Sequence, residues 1–269
     1  MRTRELSQNF LRNRRTARRL VQLADALADE LVVDLGAGTG VVTQAAEALG
    51  RRVLAIEKDD RLVRELRRRL GSHPRVEVHH GDLLSAPHPT EAFVIAANPP
   101  FAISTQLVRR WMTSGRLRSF AIVVERAFGM RIAGRFGTTK LSASLGAFFA
   151  MDLPVELRAA EFHPQPRVRV SILTGSRRDP PLIPWTKRRR YWLLVNYVFE
   201  RGRRTLRRAL ADLDARGIER RVLDMELRDA SVEVLADLFE RLDRSLRPEA
   251  WERLSAYDRA LPSKRRALT

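Results

Sequence analysis

An apolar run, Leu31-Val32-Val33-Asp34-Leu35, feeds directly into Gly36-Ala37-Gly38-Thr39-Gly40, and a helical pattern from Val41 to Leu49 follows. Strand, glycine turn and helix in that order constrain the chain strongly. They place bare backbone amides at a helix N-terminus, where a nucleotide-like ligand can approach. Glycine tolerates positive φ at such a turn and keeps side chains out of the ligand's way. The spacing is G-x-G-x-G and not G-x-G-x-x-G, which favours adenosylmethionine over a pyrophosphate-bearing cofactor. Asp34 reads either as an acceptor for amides of that turn or as a solvated acid at the strand end.

The same alternation continues. Arg52 to Glu57, Val76 to His79, Phe93 to Ala97 and Ser119 to Glu125 read as strands, separated by amphipathic stretches such as Arg61 to Leu70 with Leu62, Val63, Leu66 and Leu70 on one face. Two late segments, 147–153 and 168–173, read as a terminal antiparallel pair. The expectation is an α/β, Rossmann-like fold with a mostly parallel seven-stranded sheet. After Ser176, Arg177-Arg178-Asp179-Pro180-Pro181 reads as a linker, and the pattern becomes helical over 187–199, 203–213, 219–227 and 232–242. Trp192, Val195 and Phe199 recur at helical spacing as core, and the tail from Pro262 to Arg266 is expected to fray. Two domains follow: residues 1–176, with a basic N-terminal segment, and a small all-α domain over 177–269.

No apolar run approaches the ~20 residues needed to cross a bilayer, and Met1-Arg2-Thr3-Arg4-Glu5 leads into no apolar signal core, so a cytoplasmic protein is expected. The absence of cysteine excludes disulfides, thiolate metal sites and a Cys nucleophile. The histidines at 73, 79, 80, 88 and 163 show no ligand spacing, and no metal is expected. Formal net charge is +18, carried almost wholly by arginine, since lysine occurs only at 58, 140, 187 and 264. Such an excess points to a polyanionic partner, nucleic acid before an acidic membrane surface.

Asn98-Pro99-Pro100-Phe101 follows the buried-strand pattern Phe93–Ala97 directly. Two prolines end the strand and leave carbonyls without matching N–H groups. An amide, free carbonyls and an aromatic ring at a strand end suit a planar base with an exocyclic amine. Glu57 ends the second strand, where a carboxylate can accept ribose hydroxyls, and Asp82 follows the third, where it can accept an adenine amine or cap a turn. A dehydrogenase has no use for the Asn-Pro-Pro-Phe element, whereas a methyltransferase acting on an amino nitrogen does.

Ser7-Gln8-Asn9-Phe10-Leu11, Asp34 to Gly40, Glu57, Gly81-Asp82, Asn98-Pro99-Pro100-Phe101 and Phe162-His163-Pro164-Gln165-Pro166-Arg167-Val168 together resemble the rRNA adenine-N6 methyltransferase family. Over roughly residues 5–175 the chain looks most like the erythromycin-resistance branch that acts on 23S rRNA, and the helical tail is similar only in type and length. The resemblance implies a class I methyltransferase fold using S-adenosyl-L-methionine. It also implies mono- or dimethylation of one adenine in protein-free 23S rRNA, with resistance to macrolide, lincosamide and streptogramin B antibiotics, by a monomer needing no protein partner. Residue by residue it implies that Asn9 and Leu11 line the cofactor site, Gly36 holds its methionine end, Glu57 its ribose and Asp82 its adenine amine. Gln8, Gly38, Gly40 and Leu83 complete the expected cofactor contacts. Asn98, Pro99 and Phe101 form the transfer centre, and Asn98 also borders the cofactor.

One departure stands out: many relatives carry Asn-Ile-Pro-Tyr where this chain has Asn-Pro-Pro-Phe, a form also found in methyltransferases of DNA and of protein glutamine. Phe101 and Phe162 are the expected sandwich for the target base. Arg12, Arg14, Arg15, Arg109, Arg110, Arg188, Arg189, Arg190, Arg203, Arg204, Arg207 and Arg208 are the expected phosphate contacts. A Gly-interrupted segment with Phe128, Arg131 and Arg135 reads as a mobile lid. The competing readings are a 16S rRNA dimethyltransferase of ribosome assembly, a DNA adenine methyltransferase and a non-catalytic RNA-binding factor on the same fold.

Overall fold

The computed structural model describes residues 9–202 and 204–268. In chain order the elements are β1 (Phe10–Leu11), α1 (Arg14–Leu23), β2 (Leu31–Leu35), α2 (Val41–Ala48), β3 (Arg52–Glu57), α3 (Asp60–Leu70), β4 (Val76–His80), β5 (Phe93–Ala97), α4 (Ser104–Trp111) and β6 (Leu117–Glu125). They continue as α5 (Arg126–Ile132), α6 (Lys140–Gly146), β7 (Phe149–Leu157), β8 (Phe162–His163), β9 (Val170–Arg177), α7 (Arg188–Glu200), α8 (Leu206–Ala209), α9 (Arg220–Leu223), α10 (Val232–Ser245) and α11 (Pro248–Ala260).

The seven main strands form one sheet in the order β4-β3-β2-β5-β6-β9-β7. β4, β3, β2, β5 and β6 run parallel, and β9 lies antiparallel on β6. β2 and β5 are buried at every residue, as expected for central strands covered on both faces. β2, β3 and β5 match the sequence expectation residue for residue, and β6 begins two residues earlier than expected. The strand order reverses between β2 and β5, so the carboxyl ends of these two strands flank the switch point where open α/β sheets bind ligands.

Local chemistry starts the helices where the pattern predicts. The Asn13 side chain accepts from the N–H groups of Arg15 and Thr16 and opens α1. Asp59 does the same for Arg61 and Leu62 at α3, whose last turn carries Arg67, Arg68 and Arg69 against the negative helix end.

The chain divides into two compact units, Met1–Gly129 with Met151–Arg177, and Met130–Ala150 with Arg178–Thr269. The sequence boundary at 176/177 therefore needs a correction: residues 130–150, assigned to the first domain, belong with the helical unit. The reason is packing, since Tyr191 and Trp192 of α7 donate to the carbonyls of Ala143 and Ser144 on α6. Of the segment read as a lid, Phe128 is buried within α5, whereas Arg131 and Arg135 are exposed.

The helical unit departs from the pattern in three further places. The expected helices 203–213 and 219–227 shrink to single turns, α8 and α9. Leu206 N–H donates to Met225 and Leu227 N–H to Arg204, so strand-like pairing takes the backbone groups a longer helix needs. A helix absent from the expectation, α11, begins with Pro248 at its first turn and buries Trp251 and Leu254. The tail does not fray: Ala267 and Leu268 are buried, and the Ala267 N–H donates to Asp258 Oδ1 at 2.6 Å.

Candidate active site

A cup lies at the β2/β5 switch point, lined by Asn9, Phe10, Leu11, Asp34, the turn Gly36–Thr39, Val41, Val42, Glu57 and Asn98 to Pro100. Its lid on one side is β1, which pairs antiparallel with β8 in the register Phe10↔His163 and Leu11↔Phe162. Asn9 Nδ2 donates to the Pro164 carbonyl at 2.8 Å, and the Arg12 N–H donates to Glu161 at 2.8 Å. The run from Phe162 thus anchors the N-terminal segment over the cup. Phe162 itself is 2% exposed and packs with Leu11, Leu20 and Val21. It cannot stack on an incoming base, which corrects that expectation.

Two glycines are required by close approach. A Cβ on Gly38, at φ +56°, would meet the Phe10 ring at 3.0 Å, so β1 can close over the turn only because position 38 is bare. A Cβ on Gly40, at φ +80°, would sit 2.5 Å from Leu66 Cδ2. Gly40 is absent from the cup lining and serves the seating of α2 on α3, not cofactor contact as expected.

Glu57 is buried at 3% exposure. Its Oε2 accepts from Gly38 N–H at 2.8 Å, and its Oε1 accepts from the N–H groups of Lys58 and Asp59 at 2.9 and 3.0 Å. A carboxylate offers about four acceptor sites. Three are taken, so the cup-facing remainder can accept one ribose hydroxyl and not two. Asp34 is neither a turn acceptor nor a solvated acid. It is buried, accepts from Thr43 Oγ1 at 2.7 Å through Oδ2, and leaves Oδ1 without a partner. Burial pushes its pKa up to about 7, opposed by the Thr43 hydrogen bond and reinforced by the Glu57 charge.

Asn98 is held from the far side. Its Nδ2 donates to the Asn9 carbonyl at 2.8 Å, and its Oδ1 is buried without a partner. A carbonyl can only accept, so that bond determines which way the amide faces and leaves the oxygen as the free group. Among the described residues none donates to the Pro99 carbonyl. Phe101 opens a one-turn 3₁₀ helix, Phe101–Ile103, pinned by Ser104 Oγ donating to the Phe101 carbonyl at 2.9 Å, and is half-buried.

Asn9, Leu11, Gly36, Gly38, Glu57, Asn98 and Pro99 are therefore brought together. Asp82, Leu83 and Phe101 are not in the lining. Asp82 is exposed and accepts from Leu84 N–H at 2.8 Å, and Leu83 is buried with its carbonyl taken by Trp111 Nε1. Gln8 and Arg203 lie outside the described residues. Phe10, Asp34, Thr39, Val41, Val42 and Pro100 line the cup without having been assigned to it. Phe10 carried a signal in the sequence, since it stands between Asn9 and Leu11 in the Ser7–Leu11 segment.

Among the described residues the cup holds two carboxyl groups and no Arg or Lys. Bare amides, acids and an orphaned amide oxygen fit a cationic sulfonium cofactor with a ribose better than a polyphosphate. Of the expected phosphate contacts, Arg12, Arg14 and Arg15 are exposed, and Arg109 is half-buried. Arg110 is instead tied to the Ala86 carbonyl at 2.7 Å and to His88, which makes it a scaffold residue. In the helical unit Arg188 lies over the Trp185 ring, Arg190 pairs with Asp243, Arg204 with Glu226 and Arg207 with Asp224, while Arg189 and Arg208 are exposed.

Residues 2–244 match the family model described as ribosomal RNA adenine dimethylase. A curated rRNA adenine N-6-methyltransferase of Aeromicrobium erythreum is 35% identical over 181 residues, 67% of this chain and 53% of that protein. The chain thus spans about half the length of such relatives. Ribosomal RNA small subunit methyltransferase A of Geobacter metallireducens is 30% identical over 213 residues, 75% of this chain and 77% of that one. Among solved structures, 23S rRNA methyltransferase ErmE superposes with a TM-score of 0.73 at 27% identity, over 87% of this chain and all of that one. The fold is accordingly the class I methyltransferase sheet, and the chain belongs to the ribosomal RNA adenine dimethylase family.

Proposed function

We propose that this protein methylates N6 of one adenine in 23S rRNA, once or twice, using S-adenosyl-L-methionine, and so confers resistance to macrolide, lincosamide and streptogramin B antibiotics. The observation that carries the reading is the Asn98 amide, oriented by Asn9 so that its buried oxygen is left free at the cup. When bound, the cofactor supplies an electrophilic methyl group on a sulfonium. Gly36 and the Gly38 turn would hold it against backbone, Glu57 would accept one ribose hydroxyl, and Asn9 and Leu11 would cover it.

Adenine N6 is a weak nucleophile because its lone pair is delocalised into the ring. Accepting its hydrogens at Asn98 Oδ1 and the Pro99 carbonyl favours a pyramidal nitrogen with an available lone pair. With the amino nitrogen held in this way, the N6 proton given up on methylation would pass from the Asn98 and Pro99 oxygens to water. Orientation supplies most of the acceleration. The base must leave its stack to reach the cup, with Phe101 as the platform. Arginines of the N-terminal segment and the exposed Arg189 and Arg208 of the helical unit contact RNA phosphates, and on this reading the protein acts as a monomer in the cytoplasm.

The test is methyl transfer to protein-free 23S and 16S rRNA, read as the mass and position of the modified nucleotide, with calorimetry of adenosylmethionine binding alongside. Activity on 23S rRNA that is lost in Asn98→Ala, with cofactor still bound, is the expected result. Undiminished transfer by Asn98→Ala overturns the proposed centre. The likeness to small subunit methyltransferase A, which covers 77% of that relative, favours one second reading, 16S dimethylation. Modification of 16S alone would establish it instead.

A further inference from the structure

On the same unit as the cup, a trench runs beside α2 between α1 and the end of α3. Its walls are Arg14, Arg15 and Arg18 on one side and Arg69 and His73 on the other, over a floor that includes Ala45 and Leu70. A second depression shares Arg14, Val41, Gln44 and Arg69 with it, and shares Phe10, Leu11 and Thr39 with the cup, so the three are continuous. Arg69 sets the junction, donating to the Thr39 carbonyl of the glycine turn at 3.1 Å.

Arg14 and Arg18 stand one helical turn apart and Arg15 and Arg18 three residues apart, so all three flank one strip of α1. All three are exposed, and among the described residues they make no ion pair. The one acid in the trench, Glu47, is engaged by His73 Nδ1 at 3.2 Å. We propose that this trench binds the phosphodiester backbone of the RNA strand flanking the target adenine and leads that strand to the cup. The eight residues of α2 make the trench about 12 Å long, enough to follow a short stretch of one strand's backbone. The apolar floor has no charge with which to repel its phosphates. The inference rests on the rRNA reading above and gives it a path.

The experiment compares wild type with the triple variant Arg14→Gln, Arg15→Gln, Arg18→Gln, measuring Kd for a 23S rRNA fragment over a series of salt concentrations. Each phosphate that is no longer neutralised makes the slope of log K against log salt shallower by about 0.7, so the triple variant is expected to flatten it by roughly 2. Adenosylmethionine affinity and the unfolding temperature should stay at wild-type values. Photocrosslinking of the fragment to the unaltered protein, with the adduct mapped to an α1 peptide, supports the same path without any substitution. A triple variant with wild-type affinity and slope, in a protein that methylates rRNA, overturns the trench and leaves the functional reading standing. A wild type that neither binds nor methylates rRNA overturns both. Loss of binding confined to vesicles of anionic lipid also overturns the trench as an RNA path.

Discussion

The two units of this protein are both rich in arginine and both pair much of it with acids, as Arg52 with Glu91 and Arg118 with Glu30 in the first, yet α1 uses its arginines differently from the helical unit. On α1 the guanidinium groups of Arg14, Arg15 and Arg18 have no acid partner among the described residues, and in the cup two buried polar atoms, Asp34 Oδ1 and Asn98 Oδ1, are left unsatisfied. In the helical unit Arg190, Arg204, Arg207, Arg216 and Arg241 each meet a carboxylate. Its buried polar groups are joined as well. Lys140 Nζ donates to Asn196 Oδ1 at 3.0 Å, Asn196 Nδ2 donates to Asp258 Oδ1 at 2.6 Å, and among the described residues only Trp251 Nε1 is left over. Unpaired charge and orphaned acceptors have their interaction energy still to give to a ligand. Paired ones have already used it on the fold. Net charge alone does not distinguish these two cases.

The largest effect that can sharpen this contrast concerns Asp34. Its native pKa of about 7 lies above the unfolded carboxylate value. Between pH ~4 and ~7 the native state therefore keeps a proton that the unfolded chain releases, and stability falls as pH rises through that window. A window of that width corresponds to an upper bound of about 4 kcal/mol. Asp34→Asn should flatten the dependence and raise the unfolding temperature at pH 8 more than at pH 5, as read by thermal denaturation across pH. An unchanged profile would show that Asp34 is ionised in the fold.

Next is Asn98→Ala. Removing an oriented acceptor from the transfer centre should cost roughly 10²–10³ in kcat, while loss of the Nδ2 bond to the Asn9 carbonyl should lower stability by only about 0.5–1.5 kcal/mol. Loss of stability without loss of rate would make Asn98 a structural residue. In the helical unit the balance should reverse. Asn196→Ala removes one hydrogen bond from each of Lys140 and Asp258, which keep Glu200 and the Ala267 N–H as partners, and should cost about 1–3 kcal/mol in denaturant unfolding, with adenosylmethionine affinity unchanged. The smallest effect is expected at Arg204→Gln and Arg207→Gln, exposed ion pairs worth roughly 0–1 kcal/mol each. Their RNA salt slope should shift less than that of the α1 triple variant, and an equal shift would erase the contrast.

Central strands were legible because burial on both faces demands unbroken apolar runs, and β2 and β5 show them end to end. The glycine turn, Glu57 and Asn98 were legible because each sits at a strand end with a residue type that ordinary packing does not call for. Phe162 was misread because an aromatic next to a motif looks the same whether it faces a ligand or a core, and the β1–β8 pairing is a contact between residues some 150 apart. α8 and α9 were overextended because the bridge between Thr205 and Glu226 joins two segments that each read as helix alone. Residues 130–150 were misassigned because unit membership depends on what a segment packs against.

By itself the sequence determined the parallel sheet, the position of the ligand turn and the demand for a polyanionic partner, since periodicity, glycine spacing and charge are local or additive properties. Only the tertiary structure decided which arginines remain available, that Glu57 has one acceptor site left and not several, and that the Asn98 amide turns its oxygen inward. Each of these depends on a partner brought from elsewhere in the chain: Asp243 for Arg190, Gly38 for Glu57, Asn9 for Asn98. A hydrogen bond or ion pair is a property of two groups in space, and no single stretch of sequence contains both.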